Sequence, residues 1–261
     1  MAILEVDNIT MQFGGLVAVK DFSLNLGDEE IVAIIGPNGA GKTTVFNMIT
    51  GIYQPTKGSI TLDGVSMKGK KPNQFALHGI SRTFQNIRLF GNISVIDNLM
   101  VAQTSKVSYS LFSGFFHTPK FMKEEQRMAE KAYEILKIFG LEEKRDVLAK
   151  NLPYGDQRRL EIARALITDP KVLLLDEPCA GMVQSEMDDL QKTITFVRDT
   201  FHISIILIEH HMSFVMSIAD RIKVLDFGQT IAEGVASEVQ TNPKVIEAYL
   251  GGDYNVDTES N

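Results

Sequence analysis

The chain alternates between stretches with the spacing of strands and stretches with the spacing of helices. Ile3 to Thr10 reads as a strand, and Asp21 to Leu26 shows the period-two alternation of another. Ile31 to Ile35 is an unbroken apolar run that stops at Gly36, as suits a strand buried on both faces of a parallel sheet. Beyond Lys42, the apolar positions Val45, Phe46, Met48 and Ile49 have helical spacing. Tyr53 to Gly58 is a turn punctuated by Pro and Gly, with a strand expected at Ser59 to Leu62.

The middle changes character. Met122 to Phe139 and Gln157 to Ile167 carry charged, helical patterns, and together they predict a helical segment over 88–163 set into an α/β frame. Within it, Gln103 to Pro119 is rich in Ser and Phe and fits neither pattern. The α/β rhythm then resumes: strand at Val172 to Leu175, helix at Ser185 to Arg198, strands at Ile203 to Ile208 and Arg221 to Asp226. Such alternation predicts a mostly parallel sheet. After Gly251 the chain is polar and reads as a disordered tail over 251–261.

Composition narrows the possibilities. The 261 residues are 44% hydrophobic, enough for one or two packed domains. A net charge of -7 disfavours binding to nucleic acid, which needs a basic surface. Cys179 is the one cysteine, so no disulfide forms within the chain, which suits a reducing cytoplasm. The opening segment MAILEVDNIT does not read as a signal peptide, and no apolar run approaches the ~20 residues that span a bilayer.

Three segments carry chemistry. Gly36-Pro37-Asn38-Gly39-Ala40-Gly41-Lys42-Thr43, followed by Thr44, matches the phosphate-loop pattern G-x-x-x-x-G-K-[ST] between an expected strand and an expected helix. Glycines let backbone N–H groups turn inward around phosphates, and the helix N-terminus faces the same anion. Lys42 would reach the β- and γ-phosphates and the Thr43 hydroxyl would hold Mg²⁺. From average composition, chance yields this pattern in a chain of this length with a probability on the order of 1%. The apolar run Val172 to Leu175 ends in Asp176 and Glu177, one carboxylate for Mg²⁺ and one to orient or deprotonate water. The run Ile203 to Ile208 ends in Glu209-His210-His211. Parallel sheets bind ligands beyond the carboxyl ends of their strands, so Lys42, Glu177 and His210 are expected at one edge.

These segments stand in a fixed order: phosphate loop, Arg82-Thr83-Phe84-Gln85, Leu152-Pro153-Tyr154-Gly155-Asp156-Gln157, LLLDEP, Glu209-His210. The order resembles the ATPase subunits of ABC transporters across nearly the whole chain. The resemblance implies a P-loop NTPase, an α/β fold with a RecA-like core, an N-terminal antiparallel β subdomain and an inserted helical subdomain. It divides the chain into a core of 1–87 and 164–250, the helical part 88–163 and the tail. It implies that Phe13 stacks on adenine, that residues 36–44 hold the phosphates, and that Gln85 touches both Mg²⁺ and the attacking water. Glu177 matches the catalytic glutamate and His210 the switch histidine, while Pro153, Tyr154, Gly155 and Asp156 occupy the signature that closes over ATP on a second subunit. The implied ligands are ATP with Mg²⁺, with Thr43, Gln85 and Asp176 toward the metal. The implied partners are a second ATPase, identical or not, and transmembrane permeases served by a solute-binding protein, placing the chain on the cytoplasmic face of the inner membrane. A groove near Asn86 to Asn98 would receive a permease helix.

The match narrows further. Arg88-Leu89-Phe90, the Phe- and Ser-rich insertion, Tyr154-Gly155, Arg158 to Arg164, Ile208 to Met212 and the segment Asn242 to Gly251 are similar to the ATP-binding subunits of bacterial branched-chain amino acid importers. A close relative within the same subfamily drives lipopolysaccharide export, but the insertion argues against that reading. ABC ATPases of DNA repair or ribosomes usually carry a long coiled coil or tandem cassettes, and neither pattern occurs. A GTPase would need an Asn-Lys-x-Asp segment, and none is found. The intact Glu177 argues against a module that holds ATP without hydrolysing it.

The signature departs from the usual Leu-Ser-Gly-Gly-Gln. Pro153 lacks the serine hydroxyl, and Asp156 sets a carboxylate where a triphosphate is expected. Val183 stands where the family usually has aspartate or asparagine. Of the neighbouring residues, Arg158 and Arg159 read as a helix surface that could offset Asp156, His211 as a solvated neighbour, Cys179 as a small buried hydrophobe, and Phe112, Phe115 and Phe116 as a packing cluster.

Overall fold

The computed structural model describes residues 2–104 and 119–250; Phe112, Phe115, Phe116 and the expected tail lie outside the described residues. Strand β1 (Leu4–Phe13) pairs antiparallel with β2 (Leu16–Leu26), from Leu4 opposite Leu26 to Phe13 opposite Leu16. The sequence pattern marks only the second half of β2. Its first residues, Leu16 and Val17, are exposed, so no buried face imposes an alternation there. The missed signal is Gly14-Gly15, a two-residue hairpin turn between two strands.

After β3 (Ile31–Ile35) and α1 (Lys42–Ile49), β4 (Lys57–Leu62) returns beside β1, and the short β5 (Val65–Ser66) completes an antiparallel sheet in the order β2-β1-β4-β5. Next come α2 (Pro72–Leu77) and β6 (Ile80–Arg82), then the helices α3 (Val95–Gln103), α4 (Pro119–Ile138) and α5 (Tyr154–Leu166). The remaining elements are β7 (Val172–Asp176), α6 (Gln184–Phe201), β8 (Ser204–Ile208), α7 (Met212–Ile218), β9 (Arg221–Asp226), β10 (Gln229–Gly234), α8 (Ala236–Gln240) and α9 (Pro243–Leu250). They build a second sheet, β10-β9-β3-β8-β7-β6, parallel from β9 to β6 with an antiparallel edge at β10.

The apolar runs are unbroken because β3, β7 and β8 are buried on both faces. Their period of two then sorts side chains between two cores. Ile31, Ala33, Ile35, Leu173, Leu175, Ile205 and Leu207 face a core shared with Leu99, Leu136, Leu160 and Leu190 of the helices. Val32, Ile34, Val172, Leu174, Ile206 and Ile208 face a second core, which α1 fills with Val45, Phe46, Met48 and Ile49 and the antiparallel sheet with Leu4, Phe22 and Ile60. The central strands end in register, Ile34 opposite Ile208 and Ile208 opposite Asp176, so the loops that follow β3, β7 and β8 open side by side.

Candidate active site

The phosphate loop needs glycine for reasons of space. Gly36 has φ 149°, and a Cβ there would lie 2.0 Å from the Leu225 carbonyl oxygen. Gly41 has φ 98°, and its Cβ would meet the Ala18 carbonyl at 2.9 Å. The loop is thereby pressed against β9 and β2, and it delivers Lys42 to the first position of α1. The Lys42 ammonium donates to the carbonyls of Gly36 (2.6 Å) and Pro37 (2.9 Å). Burial pushes this ammonium below its ordinary pKa, while Glu177 and Asp176 pull it back up. A cleft of about 560 Å³ is bounded by residues 38–44, by Leu16, Val17 and Ala18, by Gln85 and Glu177, and by Phe227.

The two carboxylates at the end of β7 have different surroundings. Asp176 is 4% exposed and is held at 2.7 Å by the guanidinium of Arg82. Arg82 also donates to Asn47 Oδ1 at 2.7 Å and lies over the rings of Phe46 and Phe84. Left without hydrogen bonds or a charged partner, a carboxylate buried this far would be costly to the fold. Glu177 turns out of the strand with φ 48°, a left-handed conformation that costs a non-glycine residue about 1–3 kcal/mol. Its N–H bonds to the Ile208 carbonyl, and its Oε2 accepts from Gln85 Nε2 at 2.9 Å. His210 Nδ1 stands 4.0 Å from the same oxygen. The structure thus brings together Lys42, Gln85, Glu177 and His210, which lie up to 168 residues apart in the sequence.

Glu209 ties this edge together. Its buried carboxylate accepts N–H bonds from Cys179 (2.7 Å), His210 (3.0 Å) and His211 (3.3 Å), with His211 Nδ1 at 3.2 Å. The loop after β7 and the loop after β8 are therefore fastened to one side chain. His211 is accordingly half-buried against Glu209 rather than merely solvated. Cys179 is fully buried, and burial together with Glu209 pushes its thiol up, so it stays protonated as the expected small hydrophobe.

Phe13 stands at the end of β1, half-exposed, with its ring edge-to-face on Tyr53 at 5.3 Å. The signature segment opens α5. Pro153 is its N-cap and supplies no side-chain cap, Tyr154 is exposed, and Gly155 is buried where a Cβ would lie 2.7 Å from Glu186 Oε1. Asp156 forms an ion pair with Lys144. Val183 is exposed at the N-cap of α6.

One expectation fails here. Arg158 was to lie on the helix surface, yet it is 0% exposed. Positions 155, 158, 162 and 166 follow the 3–4 spacing of the buried face of α5, so burial follows from the helix period. The charge is tolerated because Glu161 and two backbone carbonyls meet it. Arg159 keeps an outer position, 4.0 Å from Asp189, and the offset to Asp156 comes from Lys144 instead. Arg82, Asn47 and Glu161 received no role from the sequence, and Arg158 received a different one. Arg82 lay inside a quoted motif, but nothing local says that it meets Asp176.

A model of the ABC transporter family matches residues 19–180, and a branched-chain amino acid ATP-binding cassette transporter model matches residues 229–255. The high-affinity branched-chain amino acid transport ATP-binding protein LivG of Salmonella typhimurium is 48% identical over 95% of this chain and 98% of its own. The corresponding protein BraF of Pseudomonas aeruginosa is 46% identical over the same shares. Among solved structures, the ADP conformation of MJ1267, an ATP-binding cassette of an ABC transporter, superposes with a TM-score of 0.84 at 33% identity, covering 96% of this chain and 99% of that one. A nucleotide-free cassette gives 0.83 at 32%, over 95% and 99%. These structures share the P-loop core, antiparallel β subdomain and helical insert that the motifs implied. With motifs, cleft and full-length relatives in agreement, the chain belongs to the ABC transporter family as an ATP-hydrolysing cassette.

Proposed function

We propose that this ATPase powers an importer of branched-chain or related hydrophobic amino acids, working beside a second ATPase and two permease subunits at the cytoplasmic face of the inner membrane. Relatives of nearly equal length that carry this transport in their names support the solute class. Among the described residues no helix is long and apolar enough to cross a membrane; attachment is proposed to run through the permeases. A cavity of about 340 Å³ lined by Phe75, Ile80, Arg82, Phe84, Ala102 and Arg164 supports a docking place for them. Its lining residues Phe84 and Ala102 bracket the stretch Asn86 to Asn98 in sequence, and that stretch does not itself line it.

In the proposed cycle Phe13 stacks on adenine, and residues 36–44 hold the triphosphate through backbone N–H groups and Lys42. Glu177 accepts a proton from the attacking water, Gln85 orients both, and His210 meets the γ-phosphate. Thr43, Gln85 and Asp176 offer a hydroxyl, an amide oxygen and a carboxylate, the hard oxygen donors that Mg²⁺ prefers. Bound there, Mg²⁺ supplies charge neutralisation at the phosphate oxygens. Pro153 to Asp156 would close over the second subunit's ATP, and closure excludes bulk water from both sites while leaving the attacking one. The part 88–163 would carry that motion between the core of 1–87 and 164–250 and the permeases.

The observation that carries this reading is the 2.9 Å bond between Gln85 and Glu177 at a cleft bounded by the phosphate loop. Steady-state ATPase assays test it. Glu177→Gln is expected to lose at least ~100-fold in kcat while still binding ATP, and Lys42→Ala to lose binding. A Glu177→Gln protein with wild-type turnover would end the reading. Uptake of radiolabelled leucine by the reconstituted transporter tests the solute class.

A further inference from the structure

The buried guanidinium of Arg158 does more than fill the core beneath the signature helix. Its two terminal nitrogens divide between consecutive backbone carbonyls: Nη1 donates to Phe84 O and Nη2 to Gln85 O, each at 2.7 Å. Nη1 also meets Glu161 Oε2 at 2.8 Å. The other Glu161 oxygen accepts the Arg88 N–H at 3.2 Å, and the Arg88 cation lies 4.2 Å from the Phe84 ring centre. Residues 84–88 are therefore gripped from both ends by one ion pair, and both members of that pair belong to α5. Gln85, within the gripped segment, hydrogen-bonds Glu177.

We propose that Arg158 is a positioning residue for hydrolysis: it fixes the peptide that bears Gln85 to the signature helix, and through Gln85 it sets the side chain of Glu177. The proposal rests on the reading of Gln85 and Glu177 as hydrolytic residues. A displacement of α5 must carry the Gln85 backbone with it, because a rigid planar fork bonded to two successive carbonyls leaves little independent play. A lysine offers one point charge and cannot hold both carbonyls in that geometry. A buried ion pair is by itself a weak source of stability and can often be exchanged for apolar residues at little cost. The directional bonds to the backbone are what such an exchange would remove.

A double-mutant cycle on the full chain tests this. Arg158→Lys is expected to keep the fold and the KM for ATP while kcat falls about 10-fold, the scale of loss for a misplaced catalytic group. In a Gln85→Ala background the same substitution is expected to change kcat less than about 2-fold, since there is no longer a side chain to position. Losses that multiply independently, or a folded Arg158→Lys protein with wild-type kcat, would overturn the proposal. If Arg158→Lys does not fold, the joint change Arg158→Met and Glu161→Met, which leaves no uncompensated charge, takes its place in the cycle with the same expectations. If the wild-type chain turns over no ATP, the hydrolytic reading falls, and hydrogen exchange reads the clamp separately. Amides of residues 85–88 are expected to exchange at least ~10-fold faster in the variant. Unchanged exchange would overturn the clamp itself.

Discussion

Single side chains in this protein are constrained by what stands opposite them rather than by their own type. Gly36 illustrates the strictest case: with the Leu225 carbonyl 2.0 Å from any Cβ and φ at 149°, Gly36→Ala must push β9 and the phosphate loop apart. The expected cost is roughly 2–4 kcal/mol, read as a lower urea midpoint with unchanged slope. Asp156 illustrates compensation. Lys144 neutralises it at the start of α5, and Lys144→Met leaves a carboxylate in the segment proposed to face a triphosphate. That variant is expected to raise the KM for ATP in the assembled ATPase dimer, and Asp156→Asn in the same chain is expected to bring it back. A KM indifferent to both changes would show that the signature carboxylate never faces the nucleotide.

At the scale of elements, polar side chains decide how strand ends are held. Arg221, at the start of β9, spans Glu30 just before β3 and Glu233 on β10, and Lys223 adds a second bond to Glu233. Burial works against an ionised Glu30, yet bonds from Arg221 and the Gly27 N–H hold its carboxyl below the ordinary value of 4.5. A depressed folded value means the ionised form stabilises the fold above pH 4.5, and the contribution is lost as pH falls through the folded value. Glu30→Gln is therefore expected to cost about 1–2 kcal/mol at pH 7 and clearly less near pH 3, in urea titrations at both. An equal loss at both would mean that charge has no part in it. The central strands and long helices were legible because burial on one or two faces writes a period into the sequence. The exposed start of β2, the three-residue β6 and the exposed edge strand β10 carry no such period, and all three went unread.

For the whole molecule, every residue that the proposed cycle assigns to this chain's own nucleotide is present in the sequence, whereas Pro153, Asp156 and Val183 depart from the family pattern in parts proposed to serve the opposite site. In a dimer with a different ATPase, the site on this chain's phosphate loop should therefore carry most of the turnover. Glu177→Gln here is expected to abolish most ATPase activity of the assembled complex, and the equivalent change in the partner to remove less. Equal losses would refute the asymmetry.

Linear order was enough to mark the phosphate-loop pattern, the paired acids after β7, the strand-end position of His210 and the α/β alternation. Each is a local pattern whose physics, whether a glycine-lined anion cradle or a buried strand with a charged end, acts over a few neighbouring residues. The tertiary structure alone decided that Arg82 neutralises Asp176, that Glu209 fastens two loops, and that Arg158 grips the Gln85 segment. Those pairs lie 94, 30 and 73 residues apart. A buried charge chooses its partner by what the packed elements bring within reach of it, and no periodicity along the chain records that choice.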